Sequence, residues 1–310
     1  VDITHKRKSI CIACGNEINN KIHHATENMF GMKDSFTYLE CAACESLQIT
    51  EVPENLSKYY PTKYYAFGNI TPSKGIKNLA KRLRWFIYAR NLYDFKSPEY
   101  LQWMKKLKVK NSTKIADIGC GNGQLVYELH KSGFSNMYGF DPFLGEEITA
   151  HGFFLQRKAL AELVGKYDVL MMHHSFEHIE NPHFAFQVLE KLSIKGSKLL
   201  LRMPLSDGWA WKNFGVNWFQ LDAPRHLFIP SKKALLMLAE KYGFKLTEII
   251  YDSGANQFWG PELYQKGLPY HGTPLDQVIG YQKLEDYETK AQQLNREDKG
   301  DQACFYFEKL

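Results

Sequence analysis

The chain has 310 residues, enough for one large domain or two modest ones. Its 44% hydrophobic and 24% charged content is ordinary for a globular protein with a sizeable core. A net charge of +5, from 39 basic and 34 acidic residues, permits nucleic acid or an anionic substrate but demands neither, and no run of roughly eighteen apolar residues is present to span a bilayer. The N-terminus carries no apolar secretion core, so the expected location is the cytoplasm. Aromatic residues reach 14%, which suits sites for planar or sugar-like ligands and equally suits aromatic cores.

The first predicted element, residues 1–50, is built on two cysteine pairs, Cys11-x-x-Cys14 and Cys41-x-x-Cys44. Each pair is a tight turn that aims two thiolates at one ion, and two turns complete a tetrahedral sulfur site for structural zinc. All four ligands are thiolates, so no position is left open for substrate. The alternatives are disulfides, which a reducing cytoplasm disfavours, and a redox pair, which needs only one C-x-x-C. The 26 residues between the pairs fit a hairpin, with "FTYLEC" (36–41) as one strand. Cys120 and Cys304 lie elsewhere and are expected to be unpaired.

Residues 51–112 read as an aromatic connector, "YYPTKYYAF", followed by helices split near Ser97-Pro98, with Ser97 as a cap. Within it, "KGIKNLAKRLRWFIYAR" (74–90) is a basic helix with an apolar stripe of Ile76, Leu79, Leu83 and Phe86/Ile87. Such a helix can lie on a membrane surface. The arrangement expected here is the stripe packed on its own domain and the charges in water.

From residue 113 to 310, strands alternate with helices. "TKIADIG", "MYGFDP", "FFLQRKAL", "YDVLMMHHS", "SKLLLRMP", "KLTEIIYD" and "DQACFYFEKL" read as seven strands. The helices are "GQLVYELHKSG", "PHFAFQVLEKLSIKG" and the serine-capped "SKKALLMLAEKYGF". Near-continuously apolar strands in this order predict an α/β fold with a mostly parallel sheet covered on both faces.

The sharpest motif is "ADIGCGNGQL" (116–125), where strand one turns into a helix at the carboxyl edge, the place where open α/β sheets bind ligands. Gly119, Gly121 and Gly123 allow a tight turn and close approach. Strand two ends in Asp141, placed to take ribose hydroxyls. Position 124 is Gln, which breaks the dinucleotide pattern G-x-G-x-x-G, and no Walker lysine follows. D-x-G-x-G-x-G with an acid ending strand two resembles the class I S-adenosylmethionine-dependent methyltransferases over residues 113–260. The resemblance implies a Rossmann-like seven-stranded methyltransferase sheet with a small N-terminal zinc-binding module and a helical connector. It implies that Asp117, Gly119, Cys120, Gly121 and Gly123 hold the methionine half of S-adenosylmethionine and Asp141 the ribose, with Phe143 to flank the adenine and Pro142 in the same cofactor-binding set. His173 and His174, at the carboxyl end of strand four, stand beside the crevice, His173 as a cofactor-site candidate. The family often places an acid after strand three to read the adenine amino group. Here Lys158 stands near that place, and a backbone group around Ala159–Leu160 is the expected substitute.

The segment "VLMMHHSFEHIENPH" (169–183) contains His174-x-x-Glu177-His178, a match to the inverted zinc-peptidase signature. That chemistry needs both histidines on one helical face, whereas here a buried strand runs straight into His173. The methyltransferase resemblance instead has Glu177 and His178 facing the point of methyl transfer. After strand five, "GWAWKNFGVNWFQLDAPRHLFIPS" (208–231) is too long for an ordinary connection and too aromatic for disorder. It ends in Asp222, Arg225 and His226. His226 is the first choice for a general base, with His178 second, and Glu177 and Asp222 orient an imidazole or bind hydroxyls. Zinc module, Tyr-rich connector and this core together resemble sugar and nucleotide-sugar methyltransferases of deoxysugar and surface-polysaccharide pathways. Methylation at oxygen or carbon is implied, with Tyr60, Tyr64, Tyr65, Asp222 and Arg225 as substrate-site candidates. The competing readings are an RNA methyltransferase and a non-catalytic zinc-ribbon protein with a degenerate methyltransferase fold.

Overall fold

The computed structural model describes residues 9–61, 68–92 and 97–310. Tyr64 and Tyr65 lie outside the described residues. A small antiparallel sheet runs in the order β1 (Lys21–Thr26), β2 (Ser35–Glu40), β3 (Leu47–Ile49) and β10 (Phe228–Ile229). The β1–β2 hairpin fills the gap between the cysteine pairs, as expected. β10 comes from much later in the chain, so one edge of the cysteine module is closed by the far half of the sequence.

The large sheet has eight strands in the order β11-β12-β9-β8-β4-β5-β7-β6. Seven are those read from the sequence: β4 (Ile115–Ile118), β5 (Met137–Phe140), β7 (Phe153–Gln156), β8 (Tyr167–His173), β9 (Ser193–Pro204), β11 (Phe244–Tyr251) and β12 (Gln302–Lys309). β9, β8, β4, β5 and β7 are mutually parallel, while β12 inserts antiparallel between β9 and β11. The eighth strand, β6 (Ile148–Ala150), is a short antiparallel edge on β7. This is the Rossmann-like order expected from the sequence, with the small sheet beside it.

Helices cover both faces: α1 (Ile76–Ala89), α2 (Glu99–Lys106), α3 (Gln124–Lys131), α4 (Pro182–Leu192), α5 (Trp209–Phe214), α6 (Lys232–Lys241), α7 (Asn256–Gln265), α8 (Leu275–Val278) and α9 (Tyr281–Arg296). α4 starts where Asn181 Oδ1 accepts the Phe184 N–H at 3.1 Å with Pro182 in the first turn. α6 starts where Ser231 Oγ accepts the Ala234 N–H at 3.0 Å. Ser97 does not cap α2, because Pro98 holds the capping position. On one face Phe186, Leu189, Leu235 and Leu238 pack against Leu199, Leu201, Phe305 and Phe307, and this core continues into Cys11, Cys41 and Cys44. On the other face Leu101, Met104, Val126 and Leu129 pack against Ile115, Met137 and Leu200. Each fully buried side chain of this size stabilises the fold by about 1.5–3 kcal/mol.

α1 reverses its expected orientation. Ile76, Leu79, Leu83 and Phe86 are exposed, at 83%, 67%, 56% and 47%. The packed face is Asn78, Lys81, Trp85 and Tyr88, spaced i, i+3, i+7, i+10. Trp85 decides this. It is buried against Phe134, with ring centroids 5.0 Å apart, and its Nε1–H donates to Asn111 Oδ1 at 3.0 Å. Lys81 reaches Glu128 at 2.6 Å on the same face. One indole buries more area than an aliphatic side chain and carries its own donor to a partner.

Candidate active site

The loop between β4 and α3 is built around its glycines. Gly119 sits at φ +76°, and a Cβ there would meet Ser175 Cβ at 2.3 Å. Gly123, at φ +81°, starts α3, where a Cβ would fall 2.4 Å from Leu155 Cδ1. Both conformation and space therefore require glycine. Asp141, at the end of β5, accepts the Gly121 N–H at 2.9 Å and the Phe143 N–H at 2.8 Å, which pins the loop to the next strand. Asp117 is buried behind the loop. Its Oδ1 finds no hydrogen-bond partner, and burial together with the Asp141 charge pushes its carboxyl up to about 7.

Outside the loop lies a cavity of about 500 Å³. Gly119, Cys120, Gly121, Asp141, Pro142 and Phe143 line one side, and Lys158, Ala159 and Leu160 another. Tyr60, His173, His174 and His178 close it. Glu162, the acid after β7, accepts the Ala159 N–H at 2.7 Å and so serves the backbone. The Cys120 thiol is pushed well above its usual range by burial. Phe143 is 66% exposed and stacks loosely on Tyr60 at 6.4 Å.

β8 delivers the histidines. His173 stacks on Trp103 at 4.2 Å, both its ring nitrogens are buried without partners, and burial holds it well below its usual pKa, hence neutral. His174 turns into the left-handed region at φ +48°. Arg202 Nη1 donates to its Nε2 at 2.8 Å, so its Nδ1–H faces Glu177 Oε1 at 3.3 Å. Residues Phe176–His178 form a single 3-10 turn. The zinc-peptidase reading of His174-x-x-Glu177-His178 therefore fails, since no helix places the two histidines on one face.

The cluster that does form comes from two loops. Glu177, His178 and His226 bring nitrogen and carboxylate atoms within 4.8 Å of one another. The two imidazoles meet edge to face at 4.8 Å. His178 Nδ1 bonds the Arg225 carbonyl at 2.9 Å, and His226 Nδ1 bonds the Gln220 carbonyl at 2.7 Å. Each bond favours the tautomer that carries its lone pair on Nε2. His226 Nε2 lies 3.9 Å from Glu177 Oε1 and 3.8 Å from Asp222 Oδ2. Burial, then the neighbouring His178, lowers the His226 pKa to about 4, so the ring is neutral at pH 7. Burial alone would raise the Glu177 carboxyl, but the His174 hydrogen bond and the His226 ring outweigh it and hold it ionised. Only His178 of the two imidazoles lines the cavity, and His226 stands behind it.

Arg225, expected against substrate, is fully buried. Its guanidinium bonds Asp222 Oδ1 at 2.6 Å, Glu27 Oε1 at 2.8 Å and the Tyr59 carbonyl at 2.8 Å. Asp222 is spent on that pair, and charge from Arg225 overcomes burial to hold its carboxyl below the usual range. Arg225 thus joins the loop that carries His226 to the cysteine module, and Tyr38 adds a second tie through its hydroxyl to the His226 carbonyl at 2.8 Å. Tyr60 does reach the site, with its hydroxyl 3.3 Å from His178 Nδ1. Sequence reasoning missed Trp103, Arg202 and Glu27. Each comes from an element distant in sequence, and no local pattern marks it.

Residues 88–249 match the family model described as a methyltransferase domain. The chain belongs to this methyltransferase family. Among its relatives is the tRNA U34 carboxymethyltransferase of Helicobacter pylori, 27% identical over 213 residues, or 60% of this chain and 75% of that protein. Human EEF1A lysine methyltransferase 2 is 35% identical over 63 residues, so the methyltransferase matches 20% of its own length to only 26% of that protein. A solved S-adenosylmethionine-dependent methyltransferase from Mesorhizobium loti overlays with a TM-score of 0.46 at 13% identity, covering 69% of this chain and 99% of that one. The residues present fit the S-adenosylmethionine that the glycine-loop motif implies: Asp117, with an unpartnered Oδ1 behind the loop, is suited to an ammonium, and Asp141 keeps lone pairs for hydroxyls.

The four N-terminal thiols also fit a metal. Cys11, Cys14, Cys41 and Cys44 bring their sulfurs within 4.8 Å of one another, with Cys11–Cys44 and Cys14–Cys41 each at 3.5 Å. A tetrahedral zinc with Zn–S near 2.3 Å needs sulfurs about 3.8 Å apart. Cys120 and Cys304 are free, as expected.

Proposed function

We propose that this methyltransferase moves the methyl group of S-adenosylmethionine to a hydroxyl or acidic carbon of a sugar or nucleotide-sugar, and that one structural zinc holds its cysteine module. The observation that carries the reading is the two-imidazole, two-carboxylate cluster behind the cavity wall, which reaches the cavity through His178 beside Tyr60. Asp117 and the glycine loop hold the methionine half, Asp141 the ribose, and Phe143 with the Ala159–Leu160 backbone the adenine. The bound cofactor supplies a methyl already activated on a sulfonium. His178 takes the acceptor proton at Nε2, and the carboxylates of Glu177, Asp222 and Asp141 stabilise the resulting imidazolium. His226, neutral and fixed by Gln220, positions His178 from behind. Tyr60 and Phe143 give an acceptor sugar a flat aromatic surface and exclude water.

The test is transfer of labelled methyl to a panel of nucleotide-sugars, with S-adenosylhomocysteine binding followed by calorimetry. No binding would leave the degenerate-fold reading standing. One zinc per chain, lost in C41S, is the expected metal content. A second reading, RNA methylation, draws on the tRNA-modifying relative. Label appearing in tRNA and not in any sugar would favour it.

A further inference from the structure

The reversed orientation of α1 leaves a surface that methyl transfer does not use. Ile76, Leu79, Leu83 and Phe86 are spaced i, i+3, i+7, i+10 on one outward stripe, and all four are exposed. Residues 68–92 contain six basic side chains (Lys74, Lys77, Lys81, Arg82, Arg84 and Arg90) and no acidic one. Lys81 is paired with Glu128 and Arg84 with the Tyr100 hydroxyl, both on the packed side, while Lys74, Lys77, Arg82 and Arg90 are exposed beside the stripe. Arg90 folds its guanidinium over the Phe86 ring at 3.9 Å. Leu79, Leu83 and Phe86 also line an open hollow of about 640 Å³, bordered by Arg82, Arg90, His130 and His151 and, among the described residues, by no carboxylate.

We propose that α1 docks the enzyme on the surface of an anionic lipid bilayer. An interfacial helix needs an apolar stripe to enter the acyl boundary and flanking cations for the headgroups, and α1 has both. Charge selects this occupant. A second copy of the chain would bring α1's own cations against themselves, and RNA would not cover four exposed aliphatic and aromatic side chains. The helix is too short and too basic to span, and among the described residues no helix is long and apolar enough to cross a membrane. The hollow offers room for a headgroup phosphate between Arg82 and Arg90. The stretch leading into α1 is tied to the helix that follows the glycine loop, with the Thr71 N–H donating to Gln124 Oε1 at 2.7 Å and the Ser73 N–H to Tyr127 Oη at 2.9 Å. Docking through α1 therefore holds the cofactor loop close to the lipid surface.

The experiment is flotation of the 310-residue chain with vesicles of phosphatidylcholine containing a third phosphatidylglycerol, against phosphatidylcholine alone. The expected result is co-flotation with the anionic vesicles only, reduced at least tenfold by 0.5 M salt, by L79E/L83E and by K77E/R82E, with S-adenosylhomocysteine affinity unchanged in both variants as the control for folding. Equal flotation of wild type and variants overturns the proposal, as does absence of flotation. A concentration-dependent dimer abolished by L79E/L83E would assign the stripe to a second copy and overturn it too. So would RNA binding that depends on the same residues while vesicles are ignored.

Discussion

His178 and His226 differ in what each can do, although both are imidazoles bonded to a backbone carbonyl through Nδ1. His178 opens on the cavity, and His226 is shielded behind it. Replacing His178 by alanine should lower kcat by roughly 10²–10⁴-fold with little change in S-adenosylhomocysteine affinity, measured by steady-state kinetics and calorimetry. His226→Gln should lower kcat less. Asp117 offers a separate check. Its carboxyl sits at about 7 because burial and Asp141 disfavour the charge. A cationic ammonium beside it favours the ionised form, so cofactor binding should release close to one proton at pH 6 and almost none at pH 8.5. Calorimetry of S-adenosylhomocysteine binding in two buffers of different ionisation enthalpy reads that number, and Asp117→Asn should abolish it. A proton count independent of pH would refute the assignment.

The element that binds the molecule together is the loop between β9 and α6. Its sequence, "LDAPRHLFIP", displays Arg225 and His226 side by side, and nothing local distinguishes their fates. Arg225 turns inward because Glu27 and Asp222 provide two buried carboxylates, and His226 turns toward Glu177. Removing the guanidinium leaves those carboxylates uncompensated, so Arg225→Ala should destabilise the fold by about 3–5 kcal/mol, seen as a lower urea midpoint. Arg225→Lys should not restore it, since one ammonium cannot serve three acceptors in a planar fork. The glycine loop, the seven main strands and the cysteine pairs were legible in sequence because each rests on local periodicity or spacing. The orientation of α1 was not, because a stripe count ranks four aliphatic and aromatic positions above one indole. The helices α7 and α9 between β11 and β12 were not read either. α7 carries Gly260 and Pro261 internally, and α9 is polar over most of its surface, with only Ala291 and Leu294 buried.

For the whole molecule, acid is the informative variable. The folded His226 pKa of about 4 lies below its unfolded value of 6.5, and burial likewise holds His173 well below 6.5. Both rings bind more protons unfolded than folded between those limits. The contribution of these two rings to stability is therefore fully present above pH 6.5 and is lost as pH drops from 6.5 toward 4, while the raised Asp117 carboxyl acts with the opposite sign. His226→Gln should flatten part of that fall, as followed by thermal melts across this range.

The pairing of β10 with β3 bears on how such enzymes can be recombined. Phe228 and Ile229 face Gln48 and Leu47 across an antiparallel ladder. The cysteine module thus borrows its fourth strand from the far half of the chain. A cut after residue 50 would strand an open sheet edge on each fragment, with Glu27 and Arg225 parted. A chimera that exchanges the N-terminal module between family members has to carry residues 219–231 along with it.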